Sequence, residues 1–405
     1  MTDPLFATMD IGSGPRDPGL VGLLADKEIS EEQSLRVSAF VRGVDASLAA
    51  RYASLVKEGH PGAEESVLFL TELAVRTLEK LGYNWVFDLE WPRTEMVDWE
   101  SADVGGLTRS EEWQRSYGYR FWKPSGISAQ ITYKNSDRHV DELKRVARFA
   151  KKEIRFPITD PHCEVRANDN LYYYGRELSS GRSEVLASLA ADHEATLEFA
   201  RSVTLNRVKA LSENAPPGKT IAVQYDNFIV AGEEKEFDRS LLAKQGLSAP
   251  SYIEALKEIT PSLPNVRYFV HNCLQDYSLY VPYLLEVPRL EKFCLEMSSH
   301  DTERLGTTDE QRRGPGFESL KQFKEYGLRK GQVVGVGVAS TYEGAVRPAP
   351  ELVRDRILYA AKILGDPDLV QVNPDCGLRT RRWNVAFAKL CSMTEGAALA
   401  RSEFG

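Results

Sequence analysis

Four residues carry one kind of chemistry: His271, Cys273, Glu296 and Cys376. In FVHNCLQ an apolar run ends in His271, and Cys273 follows two residues on. Residues i and i+2 of a strand point to the same side, so the imidazole and the thiol can reach one point. A second run, KFCLEMSS, ends in Glu296, and a third, LVQVNPDCGLRTR, ends in a Pro/Gly turn holding Cys376. Two thiolates, an imidazole and a carboxylate make a plausible zinc set. Structural zinc sites are closed and built from cysteines and histidines, so a carboxylate among the ligands argues for an open, catalytic site. A thiol with a free pKa of about 8.5 is deprotonated on coordination, which would supply a nucleophilic thiolate at neutral pH. Cys294 and Cys391 fall inside strand and helix patterns and are assigned to the core. Cys163, beside His162 in TDPHCEVR, is placed in a loop.

These residues need a frame that brings distant segments together. Short runs rich in Val, Ile, Phe and Tyr alternate with longer helical stretches. Eight runs are expected as strands: Phe6–Ile11, Trp85–Leu89, Glu153–Ile158, Ile221–Tyr225, Val266–Val270, Lys292–Leu295, Gln332–Val338 and Leu369–Val372. Residues 67–82, 183–211 and 351–365 repeat their apolar positions at helical spacing, and Gly follows several such stretches. Eight β/α alternations imply an α/β fold, a (β/α)8 TIM barrel forming a single catalytic domain over residues 1–405. The alternative, an open doubly wound sheet, would carry a G-x-G-x-x-G turn after its first strand, and none is present; GVGV at 335–338 reads as strand glycines. Residues 117–135 alternate like an extra hairpin at the barrel mouth, and the polar segment 301–316 reads as a solvated loop insertion rather than a lid. Active sites of such barrels sit at the C-terminal ends of strands. Those ends carry Gly12-Ser13, Glu90, Thr159-Asp160, Asp226, His271-Asn272-Cys273, Glu296, Ser340 and Cys376.

Composition restricts the partners. The 405-residue chain has a net charge of -8, 42% hydrophobic and 27% charged residues, and no basic block. Nucleic acid and membrane surfaces are therefore not expected partners. No apolar run reaches the roughly 18 residues of a membrane helix. The N-terminal stretch has no basic patch followed by an apolar segment, so a cytoplasmic location is expected. Five cysteines are too few, and odd in number, for a disulfide framework.

Longer motifs sharpen this reading. NPDCGLRTR (373–381) resembles the C-terminal zinc signature of cobalamin-independent methionine synthases, Asn-Pro-Asp-Cys-Gly-Leu-Lys-Thr-Arg. IGSGPR (11–16), EWPRTEMVDW (90–99), SYGYRFWKP (116–124), VQYD (223–226), HNC and CLEMSS are similar to further segments of that family, in its order. The chain resembles the short, single-barrel core form. The resemblance implies zinc ligation by His271, Cys273, Glu296 and Cys376. It also implies that Ser13, Glu90 and Asp226 hold the carboxylate and amino ends of homocysteine, and that a methyl-folate or methyl-corrinoid is the methyl donor. Two carboxylates gripping an ammonium group, and backbone N–H groups near Gly12-Ser13 holding a carboxylate, agree with elementary electrostatics. Glu296 is expected to be the exchangeable ligand, leaving as the substrate sulfur enters.

Some segments depart from the family. Its Asp-x-His after the seventh strand reads Ser340-Thr341-Tyr342 here, leaving Tyr342 as a candidate proton donor. Its Asp-Glu-Pro after the fourth strand reads Asp226-Asn227-Phe228. Three readings follow: methyl transfer to homocysteine, alkylation of a different thiol such as epoxide opening by coenzyme M, or a zinc-stabilised binding protein without turnover.

Overall fold

The computed structural model describes residues 3–24, 28–57, 63–93, 96–110, 114–116, 120–122, 125–227, 239–273, 277–278, 280–341, 347–379 and 381–404. Its frame is a parallel sheet of β1 (Trp85–Val86), β6 (Glu153–Thr159), β7 (Ile221–Asn227), β8 (Val266–Asn272), β9 (Leu290–Leu295), β10 (Val333–Gly337) and β11 (Val370–Asn373), adjacent in that order. The segment around Thr8 closes the ring. Thr8 bridges Val372 and Met9 bridges Trp85, both in parallel. The Met9 N–H donates to the Val372 carbonyl (3.0 Å), and the Val372 N–H donates to that of Ala7 (2.9 Å). The eight expected strand positions are therefore the eight staves of a closed (β/α)8 barrel.

The strands are buried on both faces because helices cover the outside and side chains fill the inside. β7 is buried at every position. Its outward Tyr225 belongs to the large core shared with the helices, which also takes Val223, Val270, Phe293 and Val336. A smaller cluster of Met9, Ile11, Trp85, Ala222, Phe269 and Cys294 plugs the barrel interior. Helices lie where their periodicity puts them. Glu184–Phe199 runs through a π-helical turn, Ala200–Thr204, into Leu205–Glu213. Pro350–Leu364 stops at Gly365, whose φ of 83° is the left-handed conformation of a helix end. Among the described residues no helix is long and apolar enough to cross a membrane.

Two expectations change. The excursion between β1 and β6 begins before residue 117. β2 (Val104–Arg109) pairs antiparallel with β5 (Ser125–Tyr133), and between them β3 (Gln114–Ser116) pairs with β4 (Arg120–Trp122). The glycines of VGGLTR hide the first of these strands from a β-propensity reading; Gly106 has a φ of 86°, and the register shifts between Gly105 and Leu107. β2 and β5 pack with Glu184–Phe199 around Val104, Ile127, Ile131, Ala191 and Phe199. The segment after β9 is not simply solvated. The Asp301 and Arg312 side chains are completely buried and paired. Asp301 also accepts from Arg356 Nε (2.8 Å), whose NH1 donates to the Val338 carbonyl (2.8 Å). This segment is bolted to the helix after β10.

Candidate metal centre

The strand register sets the site. Thr159, Asp226, His271 and Cys294 are successive partners across β6, β7, β8 and β9, forming one row near the C-terminal mouth. His271 and Cys273 leave the end of β8, and Cys376 enters from the turn after β11. The ligand atoms of these three residues lie within 4.8 Å of one another. His271 Nε2 is 2.9 Å from Cys273 Sγ, which is 3.0 Å from Cys376 Sγ. Neither cysteine is in a disulfide.

His271 Nδ1 lies 3.0 Å from the Cys294 carbonyl oxygen. A carbonyl can only accept, so Nδ1 carries the proton and the Nε2 lone pair faces the thiols. That is how a metal-binding histidine is oriented by its other nitrogen. Burial works against a charged ring, but Cys376 and Asp226 outweigh it and raise the His271 pKa. One imidazole nitrogen and two thiols converging at a half-buried point fit a soft or borderline divalent metal ion.

Glu296 stands beside this triad, and its carboxylate does not join the three-atom cluster. Burial, followed by the neighbouring Asp375, pushes its pKa up to about 7; a hydrogen bond from the Ser299 side chain works in the opposite sense. The main chain of Glu296 is pinned. Its N–H donates to Tyr277 Oη (2.8 Å), and that phenol lies 2.9 Å from the Asn272 carbonyl. One tyrosine thus ties the peptide between His271 and Cys273 to the peptide carrying Glu296. Asp375 does the same for Cys376, accepting from the N–H groups of Met297 (3.0 Å) and Ser298 (2.9 Å).

Ser13, Glu90 and Asp226 lie next to the triad. Ser13 Oγ donates to Glu90 Oε2. Gly12 adopts a φ of 56° and packs on the Cys376 turn, where an added Cβ would sit 3.6 Å from Gly377 Cα. Leu89 and Glu90 both have positive φ, 57° and 54°. Such backbone costs energy and persists where surrounding contacts enforce it. Here the Glu90 N–H donates to Asp88 Oδ1 (2.9 Å), Arg16 NH2 donates to the Glu90 carbonyl (2.8 Å), and the Gly14 N–H donates to the Leu89 carbonyl (2.8 Å). Burial raises the Asp226 pKa to about 6, with His271 lowering it and Glu90 raising it. The arrangement places the Glu90 and Asp226 carboxylates close to the His271–Cys273–Cys376 cluster.

Other candidates fall elsewhere. Tyr342 lies outside the described residues. Asp160 caps the helix Pro161–Arg166, accepting from the His162 N–H (2.8 Å), and Cys163 is buried in that helix rather than placed in a loop. The Pro at the first helical position gave the signal for that helix. Asn227 donates to Asp160 Oδ1 (3.3 Å). Ser340 Oγ reaches Ser299 Oγ (3.4 Å), and Lys389 donates to the Ser340 carbonyl. Tyr277, Ser299 and Asp375 also build the site. Asp375 stands inside the NPDC motif, but Tyr277 has no local signal, because its partners are backbone groups on two other loops.

Comparisons with known proteins agree with this geometry. Residues 310–399 match the family model described as cobalamin-independent synthase, catalytic domain. The chain is 30% identical over 284 residues to the methionine synthase of Thermoplasma acidophilum, covering 69% of this chain and 73% of that protein. It is 30% identical over 309 residues to the methionine synthase of Thermoplasma volcanium, covering 75% and 80%. A solved B12-independent methionine synthase from Shewanella sp. W3-18-1 shares the fold, with a TM-score of 0.65 at 16% identity over 99% of this chain and 98% of that one. With the barrel and the His/Cys/Cys cluster in place and this extent of sequence identity, the chain belongs to the cobalamin-independent methionine synthase family.

Proposed function

We propose that the protein is a zinc-dependent methyltransferase that makes methionine from homocysteine. The observation that carries this reading is the convergence of His271, Cys273 and Cys376 at one half-buried point, with the His271 lone pair turned toward the two thiols. Names of relatives at 30% identity point to the same activity. His271, Cys273 and Cys376 would hold the ion, with Glu296 as a fourth, exchangeable ligand. When bound, zinc supplies a thiolate at neutral pH by lowering the pKa of the substrate thiol.

The remaining residues bind and orient. Glu90 and Asp226 take the substrate ammonium group by charge-assisted hydrogen bonds, and Ser13 with the backbone of the Gly12 turn takes its carboxylate. Gripping both ends of the amino acid aims its sulfur at the triad, which is where proximity contributes to the rate. The pinned turn at Leu89-Glu90 keeps the carboxylate in place before substrate arrives. The methyl donor, a folate or a corrinoid, approaches from the open mouth, with Tyr342 as proton donor to a leaving nitrogen. The protein acts in the cytoplasm.

A second reading rests on Asn227. Where the family has a carboxylate, this side chain is engaged with Asp160, which thins the negative charge beside the ammonium site and favours a different amino thiol.

The test is mass-spectrometric detection of methionine, using zinc-loaded protein, homocysteine and either methylcobalamin or methyl-folate. Methionine formed with one donor and lost in Cys376→Ser supports the reading and names the donor; loss with folate alone in Tyr342→Phe supports the proton donor. No methionine with either donor, while zinc stays bound, overturns homocysteine methylation.

A further inference from the structure

We propose that Arg93 is a positioning residue for substrate binding: its buried guanidinium holds the strained Leu89-Glu90 turn, and with it the Glu90 carboxylate, against the end of β6. The proposal rests on reading Glu90 and Asp226 as the pair that takes the substrate ammonium group.

Leu89 and Glu90 both have positive φ and neither is a glycine, so the turn must be held by its surroundings. Arg93 reaches from the turn into the protein. Its N–H donates to the Glu90 carbonyl (3.2 Å). Its side chain is completely buried. Nε and NH2 fork onto the two oxygens of Glu142 (2.9 and 2.7 Å), in the helix Arg138–Phe149. NH2 also donates to the Pro157 carbonyl on β6 (3.2 Å). Cζ lies over the Trp99 ring, 4.4 Å from its centre. A bidentate, stacked arginine is fixed in direction as well as in distance.

The same guanidinium reaches Glu100 (3.5 Å), whose two carboxylate oxygens each lie 3.0 Å from the Thr159 N–H that they accept. Thr159 is the register partner of Asp226. Arg93 therefore ties the Glu90 turn to the strand edge beside Asp226. The group it holds is set for a ligand. Glu90 is completely buried; its Oε2 accepts from Ser13, and its Oε1 has no hydrogen-bond partner among the described residues. A buried carboxylate oxygen without a donor is costly, and an ammonium group supplies one. Arg93 meets Glu90 at the main chain, so its effect reaches the substrate through the turn.

The experiment is calorimetric titration of the zinc-loaded full chain with homocysteine, for the wild type, Arg93→Lys, Glu90→Gln and the double variant. Lysine keeps the charge but cannot fork. Arg93→Lys is expected to weaken homocysteine binding about tenfold, the effect of one weakened hydrogen bond to a charged group. Zinc content should stay at the wild-type level, and KM should rise by more than kcat falls. In the Glu90→Gln background the same change should cost less than about twofold, because residues that act as one unit are not additive. Arg207→Lys controls for general loosening. Arg207 is as buried and shares Glu100 with Arg93 (3.4 Å), but it ends on Asp103 rather than on the Glu90 turn, so homocysteine affinity should stay at the wild-type value. If Arg93→Lys does not fold, Glu142→Gln, which weakens the fork from its other side, is titrated in its place with the same expected direction. An unchanged affinity, an additive double variant, or an equal loss in Arg207→Lys would each overturn the proposal while leaving the ammonium site standing. Wild-type affinity in Glu90→Gln, or no homocysteine binding by the wild type, would overturn the ammonium-site reading, and the proposal with it.

Discussion

His271 is fixed from behind by its own register partner: its Nδ1 lies 3.0 Å from the carbonyl oxygen of Cys294 on the adjacent strand. Because the partner is backbone, the imidazole is aimed by the sheet itself. Loss of an outer contact to a metal ligand costs about 10- to 100-fold in affinity, so loss of a ligand should cost more. His271→Ala and Cys376→Ser are each expected to weaken zinc binding by at least about 100-fold. Competition against a chromophoric chelator measures this. Near-native affinity in either variant would remove that residue from the ligand set.

Glu90 is expected to act on substrate affinity. Hydrogen bonds to charged groups are worth about 1.5–3 kcal/mol, so Glu90→Gln should raise KM for homocysteine roughly 10- to 100-fold. Ser13→Ala should shift KM in the same direction by less. A Glu90→Gln enzyme with unchanged KM would place the ammonium group elsewhere.

Two glycines give opposite predictions. Gly337→Ala forces a methyl group against the Asp375 carboxylate and the Leu295 carbonyl, and overpacking of this kind costs about 1–3 kcal/mol. Gly43, in the helix Glu31–Val44, has nothing within 4 Å of an added Cβ. Gly43→Ala should therefore stabilise by about 0.5–1 kcal/mol. Urea denaturation of both variants checks the contrast.

Lys292 supplies a pH signature. It is fully buried, its Nζ has no hydrogen-bond partner among the described residues, and it sits 5.7 Å from the centre of the Phe269 ring. Burial lowers its pKa to about 8. Between pH 8 and about 10.4, the free lysine value, the unfolded chain holds a proton that the folded chain does not, so stability from this group rises with pH. Above the window the penalty is gone, and below it the penalty is constant. Lys292→Met should lack this rise, and the difference in unfolding free energy between the two proteins should change by on the order of 3 kcal/mol across the window. Parallel curves would show that Lys292 is charged in both states.

The segment after β9 should behave as part of the core. Asp301 is buried against Arg312 and Arg356, and removing one partner of a buried ion pair costs about 3–5 kcal/mol because the remaining charge is stranded. Asp301→Ala is expected to lower stability by that amount and to open residues 302–312 to limited proteolysis. A variant as stable and as resistant as the wild type would return the segment to the status of a solvated loop.

The barrel was legible because hydrophobic runs and helical repeats are dictated locally, and the eight runs fell on the eight staves. His271, Cys273 and Cys376 were legible because a strand end fixes where a side chain emerges. Ser13, Glu90 and Asp226 were legible as strand ends, but the pairing of Ser13 with Glu90 was not, since nothing local links residues 77 apart. Tyr277 escaped because its partners are main-chain amides and carbonyls, which every residue possesses and no motif advertises. The start of the β2–β5 excursion was missed because its glycines weaken the strand pattern that a sequence reader relies on.

Closure of the ring at Thr8 and Met9 has a consequence for synthesis. The first stave lies between β1 and β11, so it finds its second neighbour only when the last stave has left the ribosome. Cys376 emerges 103 residues after Cys273, a delay of roughly 5–20 s at ordinary elongation rates. During that interval the nascent chain presents an imidazole and one thiol without their third companion. Completion of the His/Cys/Cys cluster therefore coincides with completion of the barrel.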